Sequence, residues 1–204
     1  MSAYKNKFLA VLLLAFVLLP FGAFQGQAAS KDKVVWTKDA VHERLGFSVK
    51  HMTISYIEGH FKDYTATIVA SAPDFSDAAI EVVAKVASID TAVPPRDDHL
   101  RSPDFFDVAK YPTMTFKSTS VKPIGDNFAK VFGHLTIRDV TKVVELDAVF
   151  LGTVPNEMTK TRSMGVRLLG TIKRSDFNIA PTFPDTNVGD LVQINVNMEF
   201  ISDK

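Results

Sequence analysis

The 204-residue chain carries 23 basic and 23 acidic side chains, so its formal net charge is zero at pH 7. Such a balance gives no cationic footprint for nucleic acid or for an anionic membrane surface. The absence of Cys excludes thiol catalysis, thiolate metal sites and a lipid-modified N-terminal Cys, and it leaves stability to a buried apolar core.

The N-terminus has the three parts of a secretory signal peptide. Two lysines precede an uncharged apolar run over residues 8–19, and small residues at 26–30 offer a cleavage site. A retained membrane anchor is the alternative, but a spanning helix needs about 20 apolar residues. We predict a cleaved signal peptide over residues 1–28 and export from the cytoplasm. The remaining chain has 21 basic and 23 acidic residues and is long enough for one domain with a substantial core.

Beyond residue 33, apolar and polar residues alternate with the period of two that marks strands with one buried face. The last such segment is the clearest, with apolar residues at the even positions of 192–200. The other predicted strands lie at 44–51, 80–86, 143–150 and 164–172, with weaker segments at 57–70, 113–121 and 128–137. Turn signals separate them at 72–74, 123–127 and 154–156.

Long, sequence-adjacent strands of this kind favour antiparallel up-and-down pairing, and the segments amount to about eight or nine strands. Eight strands can close a barrel with room for packed side chains or for one small ligand. A two-sheet sandwich has the same alternation, so periodicity leaves both architectures open. The prediction is one all-β domain over residues 33–202, without internal repeats.

The segment 91–112 breaks the alternation and is too long for a hairpin turn. It contains charged and aromatic residues, so we expect a short helix or two over one end of the sheet. Two interpretations fit. Phe105 and Phe106 plug a barrel end, or the segment is a lid over a ligand mouth. In the second case the residues near a polar head group are Arg96, Asp98, His99 and Arg101.

Several blocks of the chain resemble the YceI-like family over roughly residues 33–201. The most specific blocks are LRSPDFF at 100–106, YPTMTF at 111–116 and GHLTIRD at 133–139. The resemblance implies a periplasmic or secreted protein with an extended, antiparallel, lipocalin-like barrel. Together with the strand count and the segment 91–112, it predicts an all-β, eight-stranded antiparallel barrel with a short helical lid segment. It also implies a polyisoprenoid or similar long amphiphile in the barrel. Asp139 and Asn178 stand where the family usually has Gly, and both residue types tolerate left-handed backbone.

A long lipid tail needs a deep apolar tunnel, because each buried CH₂ contributes roughly 0.8 kcal/mol, and a few polar groups at the mouth fix the head. Alternation does not distinguish a filled barrel from a hollow one, but the family resemblance favours a hollow one. The predicted cavity residues are Phe47, Val49, His51, Val82, Phe105, Phe106, Phe116, Val131, Leu146, Val166, Ile194 and Val196. The predicted head-group contacts are Arg96, Asp98, His99, Arg101 and Arg174.

The leading function is therefore periplasmic binding and transport of an isoprenoid lipid with a polyprenyl or quinone-type tail, with no other cofactor and no metal. A lipid-modifying or metal-dependent periplasmic enzyme that uses Asp97, Asp98 and His99 is one alternative. The chain has no His-x-His, His-Glu-x-x-His or Gly-x-Ser-x-Gly pattern. A ligand-free β-domain with an interaction or stress role is another. A transient contact with a membrane or a membrane-bound lipid enzyme, and a homodimer, are also left open.

Overall fold

Residues 32–202 are described by a computed structural model, and the predicted signal peptide lies outside this range. The described chain forms ten strands, one α-helix and two short 3₁₀ helices. The strands are β1 (Val34–His51), β2 (Ser55–Phe61), β3 (Tyr64–Ala70), β4 (Ala79–Lys85), β5 (Ile89–Asp90), β6 (Thr113–Gly125), β7 (Phe128–Ile137), β8 (Val140–Asn156), β9 (Thr161–Lys173) and β10 (Val188–Ser202). The helix α1 spans Pro94–Arg101, and the 3₁₀ helices span Val86–Ser88 and Ser175–Phe177. None of the helices in this range is long and apolar enough to cross a membrane.

Eight of the strands close a barrel. Hydrogen bonding runs in the order β1-β3-β4-β6-β7-β8-β9-β10, and β10 pairs back with β1. Every pair is antiparallel. Strand β2 pairs with the C-terminal half of β1 on the same edge that β3 uses further along, so β2 continues β3 in the barrel wall. Strand β5 pairs with β2. Because the ring closes, the predicted barrel is confirmed and the two-sheet sandwich is wrong.

The predicted alternation places the apolar side chains inside the barrel. On β10, Val196, Met198 and Phe200 are buried, while the residues between them are more exposed. The same pattern on β3 buries Tyr64, Ala66, Ile68 and Ala70. Since successive side chains of a strand point to opposite faces, one sequence pattern accounts both for the core and for the wet outer surface.

The barrel has two different ends. The helix end carries the long segments 86–112 and 174–187, including α1 and both 3₁₀ helices. The hairpin end carries the loop 71–78, the β6–β7 turn and the β8–β9 turn. Strand polarity fixes this division, because antiparallel neighbours connect alternately at opposite ends of a barrel.

The two departures from the family pattern lie in turns at the helix end. Asn178 has φ of 56°, so it adopts the left-handed backbone that was expected of it. At the two-residue turn between β7 and β8, positive φ falls on Arg138 (56°) and not on Asp139. A two-residue hairpin turn with positive φ at its first central position has the pattern of type II′, so the turn forms without left-handed backbone at Asp139.

Candidate ligand-binding site

A cavity of about 590 Å³ lies inside the barrel, lined by residues of all eight barrel strands. Its lining reaches from Arg174 and Ile179 at the helix end to Asn127 and Phe128 at the hairpin end. The volume falls within the roughly 300–1,000 Å³ that is usual for small-molecule sites. The barrel is therefore hollow.

Nearly all of the lining is apolar. The lining side chains that carry a charge or a polar group are Asp74, Thr115, Asp126, Asn127 and Arg174. Three of these lie in the loops of the hairpin end, and Arg174 lies at the helix end. An apolar bore with polar groups concentrated at its ends suits an amphiphile with a long tail.

The mouth of the cavity lies at the hairpin end. The lining residues that are exposed to solvent are Pro73, Asp74, Pro123, Gly125, Asp126, Asn127 and Phe128. The lining residues of the helix end, such as Phe105, Arg174 and Ile179, are buried or half-buried. Within the part of the chain that the structure describes, the cavity is thus open at one end and closed at the other.

The mouth loop 71–78 is held in shape by Asp77. Its carboxylate accepts hydrogen bonds from the hydroxyl and backbone N–H of Ser71 and from the backbone N–H of Ala72 (3.0 Å). These bonds stabilise the charged form and lower the pKa of Asp77 to about 2. On the same loop, Ser76 donates two hydrogen bonds to Asp74 and lowers the pKa of that carboxyl, so the mouth carries negative charge at neutral pH.

Phe75 stands at the centre of this loop. Its backbone is left-handed, with φ of 56°, and its ring lies 6.4 Å from the ring of Trp36 and 5.4 Å from that of Phe150. It is half-buried and lines the cavity. The ring therefore forms part of the wall where the cavity meets solvent.

Eleven of the twelve predicted cavity residues line the cavity. They are Phe47, Val49, Val82, Phe105, Phe106, Phe116, Val131, Leu146, Val166, Ile194 and Val196. The exception is His51, which does not line the cavity. The ladder of β1 with β2 is regular through His51, so His51 keeps the face of Val49, but it is the last residue of β1 and lies beyond the lined part of the strand.

Phe105 and Phe106 occupy the closed end. The Phe106 ring meets Phe61 edge to face, with ring centroids 6.0 Å apart. The Phe105 ring lies 5.2 Å from that of Phe183 and 5.0 Å from that of His99. This aromatic layer covers the barrel end, as expected from the interpretation of the segment as a plug.

The polar residues of α1 do not line the cavity, which differs from the predicted head-group site. Arg101 donates hydrogen bonds to the carbonyls of Ala87 and Ile89, both at 2.9 Å, and forms an ion pair with Asp98 at 2.8 Å. Arg96 donates to the hydroxyl and carbonyl of Thr91. These arginines fasten the helix to the chain that precedes it.

The residues proposed for the enzyme alternative face different partners. Asp97 is buried and accepts hydrogen bonds from the backbone and side chain of Thr91. Asp98 pairs with Arg101, whereas His99 Nε2 lies 3.2 Å from Asp104. The three side chains therefore do not converge on a common reaction site.

Arg174 lines the cavity but is fully engaged by backbone. Its guanidinium donates to five carbonyl oxygens of the loop that follows it, those of Ile179, Ala180, Phe183, Val188 and Gly189. A guanidinium has five N–H donors, so none is left for a head group. Arg174 was predicted to contact the head group of the ligand. It does not do so because all five of its donors bind backbone carbonyls that close the loop.

One group of described side chains has the composition of a metal site, on the outside of the barrel. Asp39 and His42 lie in a bulge of β1 opposite Glu199. The Asp39 carboxylate lies 2.8 Å from His42 Nδ1, and this hydrogen bond raises the pKa of His42 and lowers that of Asp39. An ion pair accounts for the arrangement, which is separate from the cavity.

The sequence patterns did not predict where the mouth of the cavity lies. Residues 72–74 and 123–127 were identified as turn signals, but a turn signal does not show at which end a barrel is open. A signal for the open end was available. Two turns that antiparallel connectivity places at the same end of the barrel combine acidic residues with Pro, Gly and Phe.

Known proteins share both the sequence and the fold. Protein YceI of Escherichia coli O157:H7 is 37% identical over 170 residues, which cover 83% of this chain and 86% of that protein. A UPF0312 protein of Pseudomonas syringae pv. tomato is 37% identical over 91% of this chain and 94% of its own length. The crystal structure of a Campylobacter jejuni YCEI protein matches with a TM-score of 0.67 at 36% identity, covering 74% of this chain and 87% of that one.

A more distant structure shares the fold alone. A polyisoprenoid binding domain from Saccharophagus degradans, implicated in plant cell wall breakdown, matches with a TM-score of 0.59 at 16% identity. It covers 82% of this chain and 98% of the domain. The model of the YceI-like domain matches residues 36–200, almost the whole described barrel. The chain therefore belongs to the YceI-like domain family.

Proposed function

We propose that this protein binds a long isoprenoid amphiphile in its barrel and carries it through the periplasm. The observation that carries the proposal is the apolar cavity, which is closed by aromatic side chains at the helix end and opens between polar loops at the hairpin end. The likeness to a structure described as a polyisoprenoid binding domain supports the ligand class. The predicted signal peptide over residues 1–28 supports the periplasmic location.

The dimensions of the barrel suit an extended tail. Strand β7 has ten residues, and at about 3.4 Å per residue and a tilt of roughly 40° a strand of this length spans a depth of roughly 25 Å. Each CH₂ that leaves water in such a bore contributes roughly 0.8 kcal/mol. A long hydrocarbon tail thus supplies affinity without a specific polar contact.

The charge at the mouth bears on the head group. Asp74 and Asp126 bring carboxylates to the opening, and Asn127 adds an amide. Carboxylates repel an anionic head such as a diphosphate, whereas a hydroxyl can donate to them and a quinone carbonyl can accept from the amide. An uncharged head, with its tail pointing to the helix end, fits this opening best.

A single substitution in the bore tests the proposal. Ala148 lines the cavity and pairs with Ala129 on β7 and with Leu168 on β9, both of which also line the cavity. We expect Ala148→Phe to fill this part of the bore and weaken binding of a fluorescent prenyl or quinone probe by about tenfold or more. The matched control is Val143→Phe, an exposed position on the same strand.

Circular dichroism and thermal unfolding show whether both variants are folded. Loss of probe binding in Ala148→Phe with retention in Val143→Phe is the expected result. Equal binding by both variants places the ligand outside the barrel and contradicts the proposal.

A further inference from the structure

The hairpin end carries a group of exposed, large apolar side chains around the cavity mouth. They are Ile124, Phe128, Leu151, Val154 and Met158, and their exposed fractions run from 53% for Phe128 to 94% for Met158. We call this group the apolar rim. Contiguous exposed apolar surface on a soluble protein commonly marks a site of interaction.

Two β-bulges present residues of this rim. The pairing of β6 with β7 skips Ile124 between Pro123 and Gly125. The pairing of β8 with β9 skips Leu151 between Phe150 and Gly152, whose φ is +118°. Bulges at barrel rims change the direction of a side chain, and here both leave an apolar residue exposed.

Phe128 connects the rim to the cavity. It pairs with Gly125 on β6 and with Val149 on β8, so it lies between the two bulges. It both lines the cavity and is exposed. The apolar surface of the bore therefore continues onto the outside of the barrel at this point.

The β8–β9 hairpin extends the rim beyond the mouth. Pairing of β7 with β8 starts at Phe128 and Val149, whereas β8 continues to Asn156 before the chain turns back into β9. The tip of this hairpin carries Met158, the most exposed large apolar side chain of the described chain. Beside it, Lys160 forms an ion pair with Glu157 at 3.4 Å.

The charges near the rim have both signs. Asp74, Asp77, Asp126 and Glu157 are acidic, whereas Lys122 and Lys160 are basic. This excess of acidic groups gives no attraction to an anionic surface, and it favours apolar insertion into a lipid surface without net charge.

We propose that the apolar rim docks on a zwitterionic lipid bilayer and inserts Phe128, Leu151 and Met158 among the lipids. The cavity mouth then faces the membrane, so that an apolar cargo passes between bilayer and barrel without crossing water. The transfer of cargo from the membrane rests on the proposed function. Docking itself is measured separately from cargo binding.

Flotation with phosphatidylcholine vesicles tests the docking. The variant Leu151→Ser/Met158→Ser removes two rim residues that do not line the cavity. The matched control, Ile54→Ser/Val143→Ser, removes two apolar residues that are similarly exposed outside the rim. We expect the rim variant to lose vesicle binding by about tenfold or more, the control to bind like the wild type, and added salt to have little effect.

Insertion can also be followed without removing an apolar side chain. In Met158→Trp, the emission of the new Trp should shift to the blue with vesicles and be quenched by brominated acyl chains, whereas in Val143→Trp the new Trp should do neither. Trp36, the one native Trp, is buried and provides the same background in both variants.

Docking is overturned if the wild type does not float with vesicles, or if the rim variant and the control float equally. If the rim variant still binds a prenyl probe in solution but no longer floats, docking is supported independently of cargo binding. If the wild type floats but binds no probe, the proposed function fails while docking stands.

Discussion

At the scale of single residues, side chains with ordinary local roles set the shape of the mouth. Asp77 is an example, because its carboxylate replaces the backbone partners that Ser71 and Ala72 lack in an irregular loop. The loop that it holds contributes Pro73, Asp74 and Phe75 to the cavity wall. Local hydrogen bonding thus decides the geometry of the opening.

The titration of Asp77 gives a pH prediction. Its pKa is lowered from the ordinary value of 3.8 to about 2 because the folded loop stabilises the carboxylate. A lowered folded-state pKa adds stability that is present above about pH 4 and is lost as the pH falls towards 2. We expect an NMR titration of the Asp77 carboxyl to give a midpoint near 2. The protection factors of the Ser71 and Ala72 amides, which take account of the intrinsic pH dependence of exchange, should fall over the same interval.

The variant Asp77→Asn is the control for this prediction. It should show low protection factors for these two amides already at neutral pH and no further loss of protection on acidification through this interval. A midpoint near 3.8 for Asp77 in the wild type contradicts the account of the loop.

At the scale of secondary-structure elements, arginines fasten the helix end. Arg101 binds carbonyls of the segment before α1, Arg138 binds the carbonyls of Phe105 and Asn178, and Arg174 binds the loop before β10. Each guanidinium satisfies backbone acceptors in the segments that connect the strands or at the first residue of a strand. The cationic side chains of this end therefore serve closure of the barrel.

Replacement of Arg174 tests this role. Lys has three donors in place of the five of Arg, so Arg174→Lys leaves at least two carbonyls without their partner. At about 1–3 kcal/mol for an unsatisfied buried group, we expect the free energy of unfolding in urea to fall by about 2–4 kcal/mol. Amides of residues 179–189 should also exchange faster.

The neighbouring exposed position supplies the control. Lys173→Ala removes the cationic side chain next to Arg174, at the end of β9, without touching these carbonyls, and it should change stability by no more than about 0.5 kcal/mol. An equal effect of both substitutions means that the backbone contacts of Arg174 do not stabilise the loop.

The same elements show what the sequence could predict. Inward-facing residues such as Phe47 and Val166 follow from a period of two, which strand geometry imposes. His51 was misplaced because alternation gives the face on which a residue lies but not how far along the strand the cavity extends. The roles of Arg96 and Arg174 could not be predicted because their partners are backbone carbonyls, which every residue has and no sequence pattern marks.

At the scale of the whole molecule, the central feature is an empty bore in a closed sheet. The same alternation would suit a barrel filled by its own side chains, so local patterns do not decide between the two. The volume that remains depends on all the lining residues together, including small ones such as Ala66, Ala129 and Ala148. For this reason the hollow barrel was expected only from the family resemblance.

Native mass spectrometry of the protein purified from the periplasm, followed by organic extraction, tests the lipid-binding account most directly. We predict a stoichiometric adduct whose extracted mass is that of an isoprenoid with an uncharged head, absent from Ala148→Phe and retained in Val143→Phe. A clean apo mass for the wild type, with no uptake of added polyprenyl or quinone lipids, would contradict the account.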